Sequence, residues 1–330
     1  MLGWEILGED LLWIEIYTGI AFLIVVGVWI FWSRIPAAFL GFFITVGLIA
    51  FGSLRPFNYN SDTENYYSYV YYLSFVNDSK IFFLTKLEPL HSLLILLLQD
   101  FKIWLLAESA VMAVGLFLAY GARRNDFSFL VLCAFVLTLG TSSLRYCSAL
   151  IYFFYFISRS EMGVIKATRT TAVLMCIHIS MIMAGALALR RRLVLLGVSA
   201  ICIAIFIESS LLGSRVVVDL TQTSRGFKAF GVAMIAVGYL FSRSPREGLS
   251  ILPFYIIMFV SFFLVSAEIL TVFNRFLIMG TIFLIAVEWP ALRRDAGSDI
   301  FDRGFTLLIT GAIILPHLIN LPRLFYSGAW

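Results

Sequence analysis

The chain has 330 residues, 61% of them hydrophobic and 13% charged, with a mean hydropathy of +0.95 and a formal net charge of +4. Soluble chains carry about 25% charged residues, so this composition excludes a soluble globular domain and describes an integral membrane protein. The apolar runs lack the period-two alternation of a lipid-exposed barrel, and the expected fold is an all-α polytopic bundle, one integral membrane domain over residues 1–330.

The first thirteen residues, MLGWEILGEDLLW, hold Glu5, Glu9 and Asp10 and no basic residue. That flank does not fit a cleaved signal peptide, so the first helix is expected to stay, with its start facing away from the cytoplasm. Apolar runs follow near 11–32, 37–54, 88–99, 103–121, 127–142, 146–158, 168–189, 193–212, 228–241, 249–266, 275–289 and 304–322. A span needs about 20 residues, and EPLHSLLILLLQ (88–99) falls short. It starts as a helix, with Glu88 at the cap and Pro89 in the first turn. The expectation is about ten to twelve transmembrane helices with one or two re-entrant or broken segments.

Basic residues arbitrate between arrangements, because cytoplasmic loops carry their excess. Letting all twelve runs span places 11 of 24 basic residues inside, which is no bias. Returning both 88–99 and 168–189 to the side they entered places 14 of 24 inside: Arg34, Arg123, Arg124, Arg159, Lys166, Arg169, the Arg190–Arg192 triplet, Arg243, Arg246, Arg293, Arg294 and Arg303. In that arrangement residues 55–87 form an outer loop with an interfacial helix, and 213–227 form a second outer loop. Arg145, Arg215, Arg225, Lys228 and Arg275 then lie on the outer face, against the rule.

Arg145 heads the apolar run YCSALIYFFYF. An arginine at mid-bilayer costs about 2.5–3.5 kcal/mol on insertion scales, so Arg145 stands either at an interface or in a polar cavity. Snorkelling to lipid headgroups explains one such arginine; an anionic ligand on the outer side explains several together. Asn274-Arg275-Phe276 repeats the arrangement.

The outer stretch contains a run of tyrosines from Tyr59 to Tyr72, with Asp62, Tyr66, Tyr69 and Leu73 spaced for one helix face. Tyrosines either anchor an interfacial helix or stack on sugar faces. Glu88 and His91 share a face of the short helix. His178 sits alone in AVLMCIHISMIMAG, either as a helix–helix hydrogen bonder or as a general base. Glu15, Glu108, Glu208 and Glu268 interrupt apolar runs, and each is expected to neutralise a buried arginine. Cys133, Cys147, Cys176 and Cys202 read as small buried apolar residues, and His91, His178 and His317 have no ligand spacing. No metal site is expected: the nearest match is Asp62-Thr63-Glu64, and side chains two apart on a helix diverge by about 160–200°.

The order of these elements resembles the EpsG and Wzy-type polysaccharide polymerases. Their pattern runs D-x-x-x-Y, a glutamate heading a short helix, R-q-x-i-A, then f-H-k-S; here stand Asp62 with Tyr66, Glu88, Arg145 with Ala149, and His178 with Ser180. Tyr146 and Ser148 replace the family's glutamine and its aliphatic residue, and Arg215 with Gly226 fits an R-x10-G loop pattern. The likeness covers residues 55–190; beyond them it is one of hydropathy, with Arg275 opening a later helix as in the family.

The resemblance implies a GT-C-like fold in the bacterial inner membrane. It also implies polymerisation of undecaprenyl-diphosphate-linked oligosaccharide repeat units into a surface polysaccharide at the outer face. Under it Arg145, Arg275 and Arg215 bind the lipid diphosphate, and Asp62 and Tyr66 position sugar. Arg145, His178 and Glu88 are catalytic, with His178 or Glu88 as base or orienting group. Expected partners are the lipid-linked oligosaccharides, the bilayer and a chain-length-regulating co-polymerase; no cofactor and no nucleic acid are expected. A lipid-linked glycan flippase or an O-antigen ligase is the alternative. A flippase of two related halves would show internal symmetry, which is absent, and a ligase would carry its large outer loop late in the chain.

Overall fold

A computed structural model of the chain describes residues 6–32, 34–75, 89–123, 125–159, 164–178, 181, 275, 278–288 and 299–326. Among these the regular elements are all helices. They are α1 (Gly8–Phe31), α2 (Ala37–Gly52), α3 (Ser61–Phe75), α4 (Pro89–Leu98), α5 (Phe101–Ala122), α6 (Asp126–Leu139), α7 (Leu144–Arg159) and α8 (Val164–Ile177). A ninth, α9 (278–288), ends in the π-helical turn Leu284–Glu288, and α10 is Asp299–Tyr326. The expected runs at 193–212, 228–241 and 249–266 and the loop at 213–227 lie outside the described residues.

Among the described residues three helices are long and apolar enough to cross a membrane: Gly8–Phe31, Phe101–Ala122 and Arg303–Pro322. Their outward faces show which solvent they meet. Trp13, Tyr17, Ile20, Ile24, Val28 and Phe31 form an exposed stripe along α1, and Ile103, Leu106, Val114 and Phe117 do the same on α5. Apolar stripes of this length on an outer surface suit acyl chains, not water.

α6 and α7 form the middle. Every residue of α6 from Phe127 to Leu137 is buried, and α7 buries Tyr146 to Ile151 without a break. α5, α8 and α9 pack on α7, and α1, α2 and α10 complete the bundle on the side of α6. Small residues set the closest approach. A Cβ on Gly115 would stand 2.9 Å from the Ile151 Cγ2 and 3.2 Å from the Tyr152 ring. Gly115→Val is therefore expected to force α5 from α7 and cost about 1–3 kcal/mol, read as a lower Tm of the purified protein in detergent.

Short turns alternate the helix directions, so the bundle has two ends of different chemistry. Asn125 caps α6 by accepting from Ser128 N at 2.8 Å, and Arg123 beside it pairs with Asp126 at 3.0 Å. Arg34, Arg159, Lys166 and Arg169 are exposed at this same end, and Arg303 stacks there on Trp29. At the other end lie the start of α5, the α6–α7 turn, the end of α8 and the start of α9. Arg55, Lys102, Arg145 and Arg275 belong to this end, and all four are drawn at least partly inward.

α4 is a half-helix. Ten residues rise about 15 Å, half the hydrocarbon thickness. Pro89 starts it, as the sequence indicates, and Gln99 stops it with φ of 49° in the left-handed region. Asp100 then caps α5 by accepting from Ile103 N at 2.9 Å. α4 thus folds back along α5 and also meets α3 and α8.

Candidate functional site

α7 begins at Leu144, so Arg145 occupies its first turn and does not precede it. The helix is delivered there by a turn at 140–143, where Ser143 O accepts from Cys147 N at 2.9 Å. Arg145 is half-buried. Its Nε donates to Tyr66 Oη at 3.4 Å, and its guanidinium carbon lies 5.2 Å from the Tyr66 ring centroid. Tyr66 projects from α3 with only 4% exposure and rests on Trp104 of α5, ring centroids 5.1 Å apart. The buried face of α3 runs through Thr63, Tyr66 and Val70. A guanidinium can make a cation–π contact and in-plane hydrogen bonds at once.

Tyr146, the next residue, is the hub of a second layer. Its hydroxyl donates to the backbone carbonyl of Arg275, which ties the start of α9 to the start of α7. The Arg275 guanidinium lies 5.5 Å from the Tyr146 ring centroid. His178 meets the same ring edge-on, centroids 5.4 Å apart at 72°. α8 ends at Ile177, earlier than the apolar run implies, so His178 sits just past the helix end and is 3% exposed. Arg275, Arg145 and His91 all lie within electrostatic reach of it. The tyrosine standing where the resembled family has glutamine is what joins these groups.

Arg145, Tyr66, His178 and Arg275 therefore come together from four elements. Glu88 and Arg215 lie outside the described residues. Asp62 falls in the first turn of α3, but its side chain is likewise outside them.

The buried glutamates correct an expectation. Glu108 pairs not with an arginine but with His91, Oε1 to Nδ1, both side chains 1% exposed. Glu15 accepts from Tyr59 Oη at 2.8 Å and lies 3.4 Å from His317 Nε2. The physical reason is placement: α4 folds along α5 and α10 runs antiparallel to α1, so imidazoles reach the carboxylates first. Glu208 and Glu268 lie outside the described residues.

Three contributors escape sequence reasoning: Trp104, the His91–Glu108 pair and Arg55. Trp104 and Glu108, four apart in an apolar run, share a helix face, and that spacing was the available signal. Arg55 is fully buried and donates through Nη1 to the Thr141 carbonyl, while Asn60 Nδ2 donates to the same oxygen at 3.0 Å. Among the described residues no group of three or more His, Cys, Asp or Glu side chains could hold a metal ion.

Set against known proteins, the chain matches no family model, no curated protein and no solved structure.

Proposed function

We propose that this chain is a glycosyltransferase of the polysaccharide-polymerase type. It joins undecaprenyl-diphosphate-linked oligosaccharides at the outer face of the bacterial inner membrane, in a multi-pass bundle of ten to twelve spans. The observation that carries the reading is the convergence of Arg145 and Arg275 on one buried imidazole, His178, beside a tyrosine–tryptophan wall. The residue-by-residue likeness of Asp62, Tyr66, Glu88, Arg145, Ala149, His178 and Ser180 to the family pattern supports it.

The chemistry asks for what these residues offer. A growing glycan leaves a lipid diphosphate when the acceptor hydroxyl attacks, and negative charge collects on the leaving oxygen. Guanidinium forks bind such oxygens in pairs, and fixed cations in a water-poor site stabilise developing charge most. Tyrosine and tryptophan faces suit sugar rings. Asp62 and Tyr66 hold the acceptor in this reading, Arg215 adds a third cation, and His178 and Glu88 are the family likeness's candidates for a base or orienting group. Sidedness follows from charge. Among the described residues the exposed basic side chains gather at the opposite end of the bundle, which the positive-inside rule assigns to the cytoplasm. A chain-length-regulating co-polymerase fits as a partner.

Deleting the gene and resolving the surface glycan on a gel tests the proposal. Loss of the polymer ladder with the single repeat unit retained is the expected result. Loss of every form of the glycan would make the protein a transporter of the lipid-linked unit and overturn the reading.

A further inference from the structure

We infer that His91, oriented by Glu108, is the base that takes the proton from the acceptor sugar's hydroxyl, an inference that rests on the polymerase reading above. His91 and Glu108 are both sealed in the interior, 0% and 1% exposed, where an unpaired carboxylate would cost several kcal/mol. Their pairing runs from Nδ1 to Oε1. A carboxylate on Nδ1 holds the proton there and leaves Nε2 as the lone-pair nitrogen, the tautomer a base requires. That Nε2 is buried and has no hydrogen-bond partner among the described residues.

Three other side chains, on α4, α5 and α7, are in the same condition. Ser92 Oγ beside it on α4, Trp104 Nε1 one turn from Glu108 on α5, and Ser148 Oγ one turn from Arg145 on α7 are all buried without such a partner. Each unsatisfied polar atom costs about 1–3 kcal/mol. Ser92 and Trp104 stand on the same two helices as His91 and Glu108, Trp104 lies in a tilted pair with Tyr66, and sugar hydroxyls are the chemistry that would satisfy such atoms.

Charge separates the two histidines. A base becomes a cation as it works. At His178 that cation would form beside the guanidiniums of Arg275 and Arg145; at His91 it would form against the Glu108 carboxylate. Among the described residues, the charged or titratable groups set against His91 are Glu108 from α5 and His178 past the end of α8, with Arg145 and Arg275 acting on His178. In the reaction the acceptor oxygen bonds to the donor's anomeric carbon as its proton passes to His91 Nε2. The bond from that carbon to the lipid diphosphate breaks, and its electron pair leaves on the diphosphate oxygen. The imidazolium then gives its proton to the released diphosphate.

The test uses the full chain in nanodiscs and the lipid-linked repeat unit extracted from cells lacking the gene. Polymerisation rate is measured across pH, and binding of undecaprenyl diphosphate alone is measured in parallel. His91→Gln is expected to slow the reaction about 100-fold or more, to leave undecaprenyl diphosphate binding unchanged, and to remove any rise in rate with pH due to this base; Glu108→Gln is expected to slow it comparably with binding unchanged. Either variant turning over at the wild-type rate, or His91→Gln slowing with that rise intact, overturns the assignment. So does a loss of rate together with binding, which would make the pair structural. If the wild-type protein makes no polymer from this substrate, the polymerase reading itself falls.

Discussion

Arg145→Ala and Arg145→Lys are each expected to abolish polymer while the protein inserts at its normal level. Arg145 lies in the first turn of a helix that is buried on most sides, so its backbone position does not depend on its own side chain. What the side chain adds is a guanidinium held against Tyr66, which in turn rests on Trp104. Losing one preorganised donor to a developing oxyanion costs about 100- to 1,000-fold in rate, enough to erase a ladder on a gel. Lysine is the informative variant. It keeps the charge but loses both the planar fork that binds phosphate oxygens in pairs and the flat face that stacks on a phenol. A point charge suffices if Arg145 only snorkels to headgroups, and Arg145→Lys would then be fully active. That outcome, with membrane content equal by immunoblot, would remove the diphosphate role assigned to this residue.

The sequence announces the helices and hides their pairings. Apolar runs locate α1, α2, α5 and α6 to within a few residues, because burial in lipid or in protein demands the same composition. Glu88-Pro89 announces the half-helix, since proline at the first turn is a local signal. The placement of Arg145 and Arg275 at helix heads is legible for the same reason. The partners are not. His91 and Glu108 are 17 residues apart, Tyr66 and Arg145 are 79 apart, and Arg55 and Thr141 are 86 apart. Such contacts depend on which helices turn back upon which, and composition carries no record of that. Glu15 and Glu108 illustrate the cost of reasoning by charge alone: a buried acid demands a partner, and arginine is the usual guess, but the chain's topology supplies histidine. Tyr146 shows the converse. As a departure from the family pattern it looks like a loss, and in the fold it is the residue through which Arg275 and His178 meet.

Arg55→Met is expected to impair the proposed polymerisation almost as severely as a change at the site, although Arg55 sits on the loop after α2 and not on the elements that carry Arg145, Arg275 and His178. Arg55 holds the loop after α2 against the turn that starts α7. Its Nη1 donates to the Thr141 carbonyl, Asn60 shares that oxygen, and Lys102 Nζ at the start of α5 donates to the carbonyl of Arg55 itself. Gly52, just before, lies so close to Thr141 that a Cβ there would stand 3.1 Å from the Thr141 Cγ2. Three residues after Ser142, Arg145 leaves this turn, so the clamp fixes where the guanidinium is presented. Methionine preserves much of the buried volume but removes the charged donor. Hydrogen bonds to charged groups are worth about 1.5–3 kcal/mol each, and a chain of this size loses about 2–4 °C in Tm per kcal/mol, so a fall of several degrees in detergent is expected. Activity should fall further than that stability loss explains, because a misplacement of about 1 Å at a reacting centre costs about 100-fold. Turnover per folded molecule, measured well below the variant's Tm, separates the two effects. A variant that melts early yet turns over normally while folded would show that the clamp stabilises the bundle without aiming Arg145, and the positioning role would then pass to the packing of α7 against α5 and α6.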